Sequence, residues 1–182
     1  MTSTSAARTP TKRAARDFWA VPARGSLAGA RASRRAFNDL VERVLNAQSV
    51  ELFEAVEAGV PTYLVDLIAA ATGQAAANVI DMLGVSATTF RRKDVANEPL
   101  PDVAGHRVMG LLRIAATLRR LLEDSGDPQA LGTFDVDAWL ATWMQQALPE
   151  LGGKTPADML RNPEGLRAVE QVLERMRGGL PA

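Results

Sequence analysis

Apolar residues along this chain recur at spacings of three and four, and β-branched alternation is absent throughout. From about Arg34 to Ala58, the positions Phe37, Leu40, Val41, Val44, Leu45, Leu52, Phe53 and Val56 keep a helical period, which gathers them on one face. Gln48-Ser49 predicts a break in this stretch and Gly59 its end. Pro61 opens a further helix with Leu64, Leu67, Ile68 and Ala71 on one side and a stop at Gly73. Gln74 to Leu83 and Ala87 to about Asp94 read as short helices on either side of Gly84-Val85-Ser86. After the loop Asn97-Glu98-Pro99-Leu100-Pro101, Asp102 caps a long helix to about Asp124, with Val108, Leu111, Leu112, Ala115, Leu118 and Leu122 on its apolar side. Ser125-Gly126-Asp127-Pro128 is a run of breakers. A helix over Val136–Ala147 and a C-terminal helical hairpin complete an all-α fold.

The hairpin is the most strongly punctuated part of the chain. It follows Leu151-Gly152-Gly153-Lys154-Thr155-Pro156. Thr155 suits an N-cap and Pro156 the first helical position, where a missing N–H costs nothing. Asp158 stands where a capping-box acid reaches back. Asn162, Pro163 and Glu164 repeat the device, and Leu166, Val169, Leu173 and Met176, with Val172 beside them, form a buried stripe. Arg175 and Arg177 complement the C-terminal end of the helix dipole, and Gly178 supplies a left-handed stop. Gly179, Leu180, Pro181 and Ala182 follow as a short tail. The glycine pair predicts positive φ or a close backbone approach. Trp139 and Trp143, four apart on one helical face, read as core or interface. Two readings fit this layout: a hairpin that only stabilises, and an element built to dock.

The segment Gln74 to Lys93 has helix-turn-helix spacing. Gly84 makes the tight turn, and Val85 and Phe90 pack the second helix on the first. Ser86, Thr88, Arg91 and Arg92 then face outward as candidate contacts to phosphates and base edges. Ile80 stands where such motifs often keep a small residue. The alternative is a helical corner carrying a solvated Arg-Arg-Lys run.

Trp139-Leu140, Leu151-Gly152-Gly153-x-Thr155-Pro156, Leu160, Gly165, Val169, Leu173 and Gly178 together resemble the toxin-binding domain of Xre/MbcA/ParS-type antitoxins. The similarity covers roughly residues 56–182, more weakly through Val56-Glu57-Ala58-Gly59-Val60-Pro61. It implies a type II antitoxin that neutralises a RES-domain toxin, one that consumes NAD or transfers ADP-ribose from it. It also implies toxin contacts through Arg175, Arg177 and Gly178 to Ala182 over the entrance of the toxin's active site, a homo-oligomer, and repression of its own operon. The rival reading is a helix-turn-helix regulator without a toxin, its C-terminal domain serving dimerisation.

Charge divides the chain. Residues 1–35 hold eight basic residues against Asp17 alone, a net +7, and the remaining 13 basic and 20 acidic residues give −7. A flexible basic arm over 1–35, able to meet phosphate, is one expectation; a solvated leader without a task is the other. Phe18 and Trp19 are candidates to anchor the arm. The expected organisation is therefore an arm (1–35), a helical region with the helix-turn-helix (36–124) and a toxin-binding domain (125–182). The length of 182 residues suits one sizeable core, and 47% apolar and 23% charged residues are ordinary for a globular chain. The absence of cysteine excludes disulfides and thiolate metal sites. A single histidine, His106, argues against histidine-based metal or triad chemistry. Asp135/Asp137 and Glu123/Asp124 sit at helix starts or turns, where acids serve capping and solvation. No catalytic residue, metal or cofactor is expected. No signal peptide or apolar run of membrane-spanning length is expected either, which points to the cytoplasm.

Overall fold

The structure, a computed structural model, describes residues 15, 17–21, 30–124 and 136–177. Among them the predicted periods become nine α-helices, and the only extended pairings are isolated bridges between Pro61 and Pro99 and between Leu148 and Lys154. The helices are α1 (Ala30–Asn46), α2 (Ser49–Glu57), α3 (Leu64–Thr72), α4 (Ala76–Met82), α5 (Ala87–Val95), α6 (Asp102–Asp124), α7 (Val136–Trp143), α8 (Pro156–Met159) and α9 (Pro163–Arg177). None of the described helices is long and apolar enough to cross a membrane.

The break expected at Gln48-Ser49 separates α1 from α2. Gln48 and Glu51 form a capping box there, with the Gln48 backbone N–H donating to Glu51 Oε2 at 2.7 Å. In α1, Ala36, Phe37, Leu40, Val41 and Val44 are buried, a three-four spacing turned toward α3 and α6. Every residue of α3 from Leu64 to Ala71 is buried except Asp66 and Ala70, because α1, α4 and α7 surround it. Gly73, at φ 66°, ends it in the left-handed region.

Helix α6 is the spine. Ala104, Val108, Leu111, Leu112, Ile114, Ala115 and Leu118 are buried along it, and α1, α2, α7 and α9 all pack on it. Arg119 ties α6 to α1 as a fork, donating to Glu42 Oε1 at 2.8 Å and to Asn38 Oδ1 at 2.7 Å. The loop before α6 is held to the start of α3 by the Leu100 N–H donating to the Val60 carbonyl at 2.8 Å. Gly59, at φ 97°, permits that approach, since a Cβ there would stand 2.8 Å from Cβ of Pro99.

Within the stretch expected as an arm, residues 30–35 belong to α1, and Trp19 is inserted into the core with 1% of its surface exposed. Its indole N–H donates to the Ala55 carbonyl at 2.8 Å, and its own carbonyl accepts from the Tyr63 hydroxyl. Phe18 meets it edge to face at 5.0 Å, and the Phe18 carbonyl accepts from Arg43. Phe18 and Trp19 together thus join α1, α2 and the start of α3. Trp19→Ala is expected to cost about 3–5 kcal/mol, read as a lowered urea midpoint with an unchanged slope. A loss below about 1 kcal/mol would show that the neighbouring helices close over the site.

Candidate functional site

The C-terminal module begins with α7, which buries Leu140 and Trp143, with Met144 buried just beyond its end. Trp139 stacks on Trp143 with centroids 5.3 Å apart and planes at 15°. The helix was expected to run to Ala147 but stops at Trp143. The reason lies downstream. The Leu148 N–H, which would continue the helix on the Met144 carbonyl, donates instead to the Lys154 carbonyl at 3.1 Å. The Met144 carbonyl accepts from Ala157 N–H at 3.0 Å. These hydrogen bonds fold residues 148–154 into a closed loop around a 3₁₀ turn, Pro149–Leu151, with Gly153 N–H returning to the Leu148 carbonyl at 3.0 Å. Gly152 and Gly153 lie at φ 65° and 75°, and a Cβ at either would meet nothing within 4 Å. Their requirement is one of backbone conformation, as expected, and not of space.

Thr155 caps α8 by accepting from the Asp158 N–H at 3.1 Å. The Asp158 carboxylate accepts from the Thr155 hydroxyl at 2.9 Å, so it reaches the cap through the side chain and not through the backbone N–H of a capping box. Pro156 is buried in the first turn. Asn162 caps α9, its Oδ1 accepting from Gly165 N–H at 2.8 Å. Gly165 has a second role: a Cβ there would overlap the Met159 carbonyl, so the crossing of α8 and α9 exists only because this residue is glycine. Val169, Val172 and Leu173 are fully buried, Leu166 is half-buried, and Met176 lies at the exposed edge of the stripe. Arg113 of α6 pairs with Glu170 of α9 at 2.7 Å. Arg175 is exposed on the last turn. The side chain of Arg177 and residues Gly178, Gly179, Leu180, Pro181 and Ala182 lie outside the described residues, as do Asp135 and the side chains of Asp137 and Glu123.

In the candidate helix-turn-helix, Val79, Ile80 and Val85 are buried and Phe90 packs against the core. Ile80 is accommodated in this core. Gly84 turns at φ 66°, and a Cβ there would overlap the guanidinium of Arg107 from α6. Ser86 spends its hydroxyl locally: it caps α5, accepting from Thr89 N–H at 3.2 Å and donating to Thr89 Oγ1 at 2.8 Å. Thr88, Arg91 and Arg92 are exposed on α5, and neither arginine has an ion pair among the described residues. Val95, 82% exposed, extends the same face by one turn. Sequence reading missed Val95 because an apolar residue at the end of a short helix looks like core. It missed Arg107 because nothing local ties that residue to a glycine in another helix. His106 is exposed. Among the described residues no group of three His, Cys, Asp or Glu is placed to hold a metal.

The two kinds of glycine separate experimentally. Gly165→Ala forces backbone apart and is expected to cost about 1–3 kcal/mol, whereas Gly153→Ala meets only left-handed strain of about 1 kcal/mol. Chemical denaturation of both variants checks the order, and a Gly165→Ala chain as stable as wild type would refute the close crossing.

The geometry agrees with what comparison shows. Residues 117–179 match the family model described as the antitoxin Xre/MbcA/ParS C-terminal toxin-binding domain. The chain is also 34% identical over 101 residues to a protein of Sphingobium sp. (strain YBL2) named Prs ADP-ribosylating antitoxin. The alignment covers 56% of this chain and 62% of that relative, so the chain spans a little under two thirds of the relative's length. The family match starts inside α6 and takes in the closed loop, the capped α8 and the Gly165 crossing. Over residues 117–179 the chain is thus similar to the antitoxin Xre/MbcA/ParS C-terminal toxin-binding domain.

Proposed function

We propose that this chain is the antitoxin of a type II pair, that it binds and neutralises a RES-domain toxin which consumes NAD or transfers ADP-ribose from it, and that it represses its own operon through α4 and α5. The observation that carries the reading is the family match over 117–179, falling on a module whose loops are closed by their own hydrogen bonds. Such a module offers shape and not chemistry. Its role is to present a surface with little ordering cost on binding. The relative's name, with its ADP-ribosylating activity, supports that class of toxin.

In this mechanism α9 is fixed on α6 by Val169, Val172 and Leu173. Arg175, Arg177 and the residues from Gly178 to Ala182 then leave from a rigid base toward the toxin, covering its active-site entrance. The antitoxin takes no part in NAD chemistry and needs no cofactor. It acts as a homo-oligomer in the cytoplasm. Two exposed arginines, without ion pairs among the described residues, beside Thr88 and Val95 on α5 support the DNA-binding part of the reading.

Co-expression with a RES-like protein encoded in the neighbouring reading frame tests the antitoxin role. Rescue of growth and co-purification are expected, and neither is expected of a regulator without a toxin. Deleting Gly178 to Ala182 is expected to keep the helical circular-dichroism signal and weaken rescue; full rescue by the shortened chain would remove the tail from the mechanism. Arg91→Ala with Arg92→Ala is expected to leave rescue intact and weaken binding to the operon's promoter. The salt slope should fall by about one unit per lost phosphate contact. Equal gel shifts by the double variant and wild type at two salt concentrations would remove α5 from DNA recognition.

A further inference from the structure

Away from the exposed face of α5, the surface of α6 carries a groove with unmet chemistry. One hollow of about 400 Å³ lies between α6 and the α8–α9 corner, and another of about 330 Å³ lies between α6 and α2. His106, Met109 and Arg113 line both, so the two hollows adjoin across α6, with the buried Met109 between them. Their walls are mainly apolar. Phe53 on α2 is 64% exposed and Val103 on α6 is 59% exposed, with Val50 exposed one turn before Phe53. Large apolar side chains gathered in this way mark an interaction surface more than scattered ones do.

Arg107, Arg113 and Arg161 line the groove, against Glu57. Arg113 is committed to Glu170 and Arg161 to Asp158. Arg107 has no such partner: the residue is half-buried over the Gly84 turn, its Nε is shielded from solvent without a hydrogen bond, and no ion pair reaches it from the described residues. A shielded N–H without an acceptor is held at a cost, and a carboxylate brought by an occupant to the open edge of the guanidinium would pair the charge.

We propose that this groove takes an acidic amphipathic helix of a partner protein, its apolar face on Phe53 and Val103 and a carboxylate turned to Arg107. A channel walled by helices offers no strand edge to pair with, so a helix is the segment that satisfies its own backbone there. Arg107, the lining arginine with no ion pair among the described residues, selects acidic over basic helices. The inference rests on the groove's own chemistry and does not require the antitoxin reading.

The probe is a fluorescein-labelled synthetic helix of about five turns, with leucine at three-four spacing and glutamate elsewhere, titrated into the full chain by fluorescence anisotropy. A lysine-for-glutamate counterpart and a scrambled peptide of the same composition serve as controls. The acidic amphipathic peptide is expected to bind and the two controls to bind at least about tenfold more weakly. Phe53→Ser, at an exposed position that leaves the core intact, and Arg107→Gln are each expected to weaken binding by about tenfold or more. Arg91→Ala with Arg92→Ala is expected to leave it unchanged. No binding by wild type, or equal binding by the Phe53→Ser chain, would overturn the proposal. Tighter binding to anionic phosphatidylserine vesicles than to the peptide would overturn it in favour of a membrane surface. A wild-type dimer that Phe53→Ser dissociates, with no peptide bound, would overturn it in favour of a second copy of the chain. A chain that takes the peptide but fails to rescue cells from the toxin would leave the groove standing and the antitoxin role refuted.

Discussion

Close approach to α6 at two of its glycines is the constraint on which the rest of this molecule depends. Gly105 and Gly110 stand inside a long helix, where each costs about 1 kcal/mol relative to alanine. Gly105 permits an approach that a Cβ would crowd, and Gly110 leaves its neighbours at the edge of ordinary contact. A Cβ on Gly105 would stand 3.0 Å from the Val60 side chain, and one on Gly110 would stand 3.4 Å from Leu166. The first contact docks the turn between α2 and α3, and the second docks α9. The N-terminal helices and the C-terminal module are thereby seated on one spine, with Arg119 and Arg113 adding polar ties to α1 and α9. Gly165 continues the same theme one layer out, letting α8 cross the first turn of α9.

This arrangement suits a protein whose proposed work is recognition. The module from α7 to α9 closes its own loops before any partner arrives, and the exposed face of α5 is set by a buried turn at Val85. Helix α5 and the C-terminal module are separate elements joined through α6, which is the physical basis for expecting the proposed DNA and toxin contacts to separate by mutation. Arg107 is the residue that breaks the separation, since it lines the α6 groove and covers Gly84 at once.

Features set by neighbouring residues were legible in the sequence. The long helix from Asp102 to Asp124, the break at Gln48, the caps at Thr155 and Asn162 and the turns at Gly73 and Gly84 all follow from capping chemistry and period. Features set by distant residues were not legible. The early end of α7 depends on the Lys154 carbonyl taking the Leu148 N–H. The burial of Trp19 depends on a free carbonyl at Ala55 and on Tyr63. Gly165 entered through resemblance alone, and its reason, the Met159 carbonyl, is visible only once α8 and α9 are placed. Among the candidate site residues, Thr88, Arg91, Arg92 and Arg175 are exposed. Val95 and Arg107 carried no local signal.

The central claim is that the C-terminal module is the surface that engages a toxin. Hydrogen–deuterium exchange on the chain, free and co-purified with the proposed toxin, tests it directly. The account predicts added protection from Trp139 onward, concentrated on α9 and the residues after it, with α5 unchanged. Protection on α5 with none beyond Trp139 would contradict it.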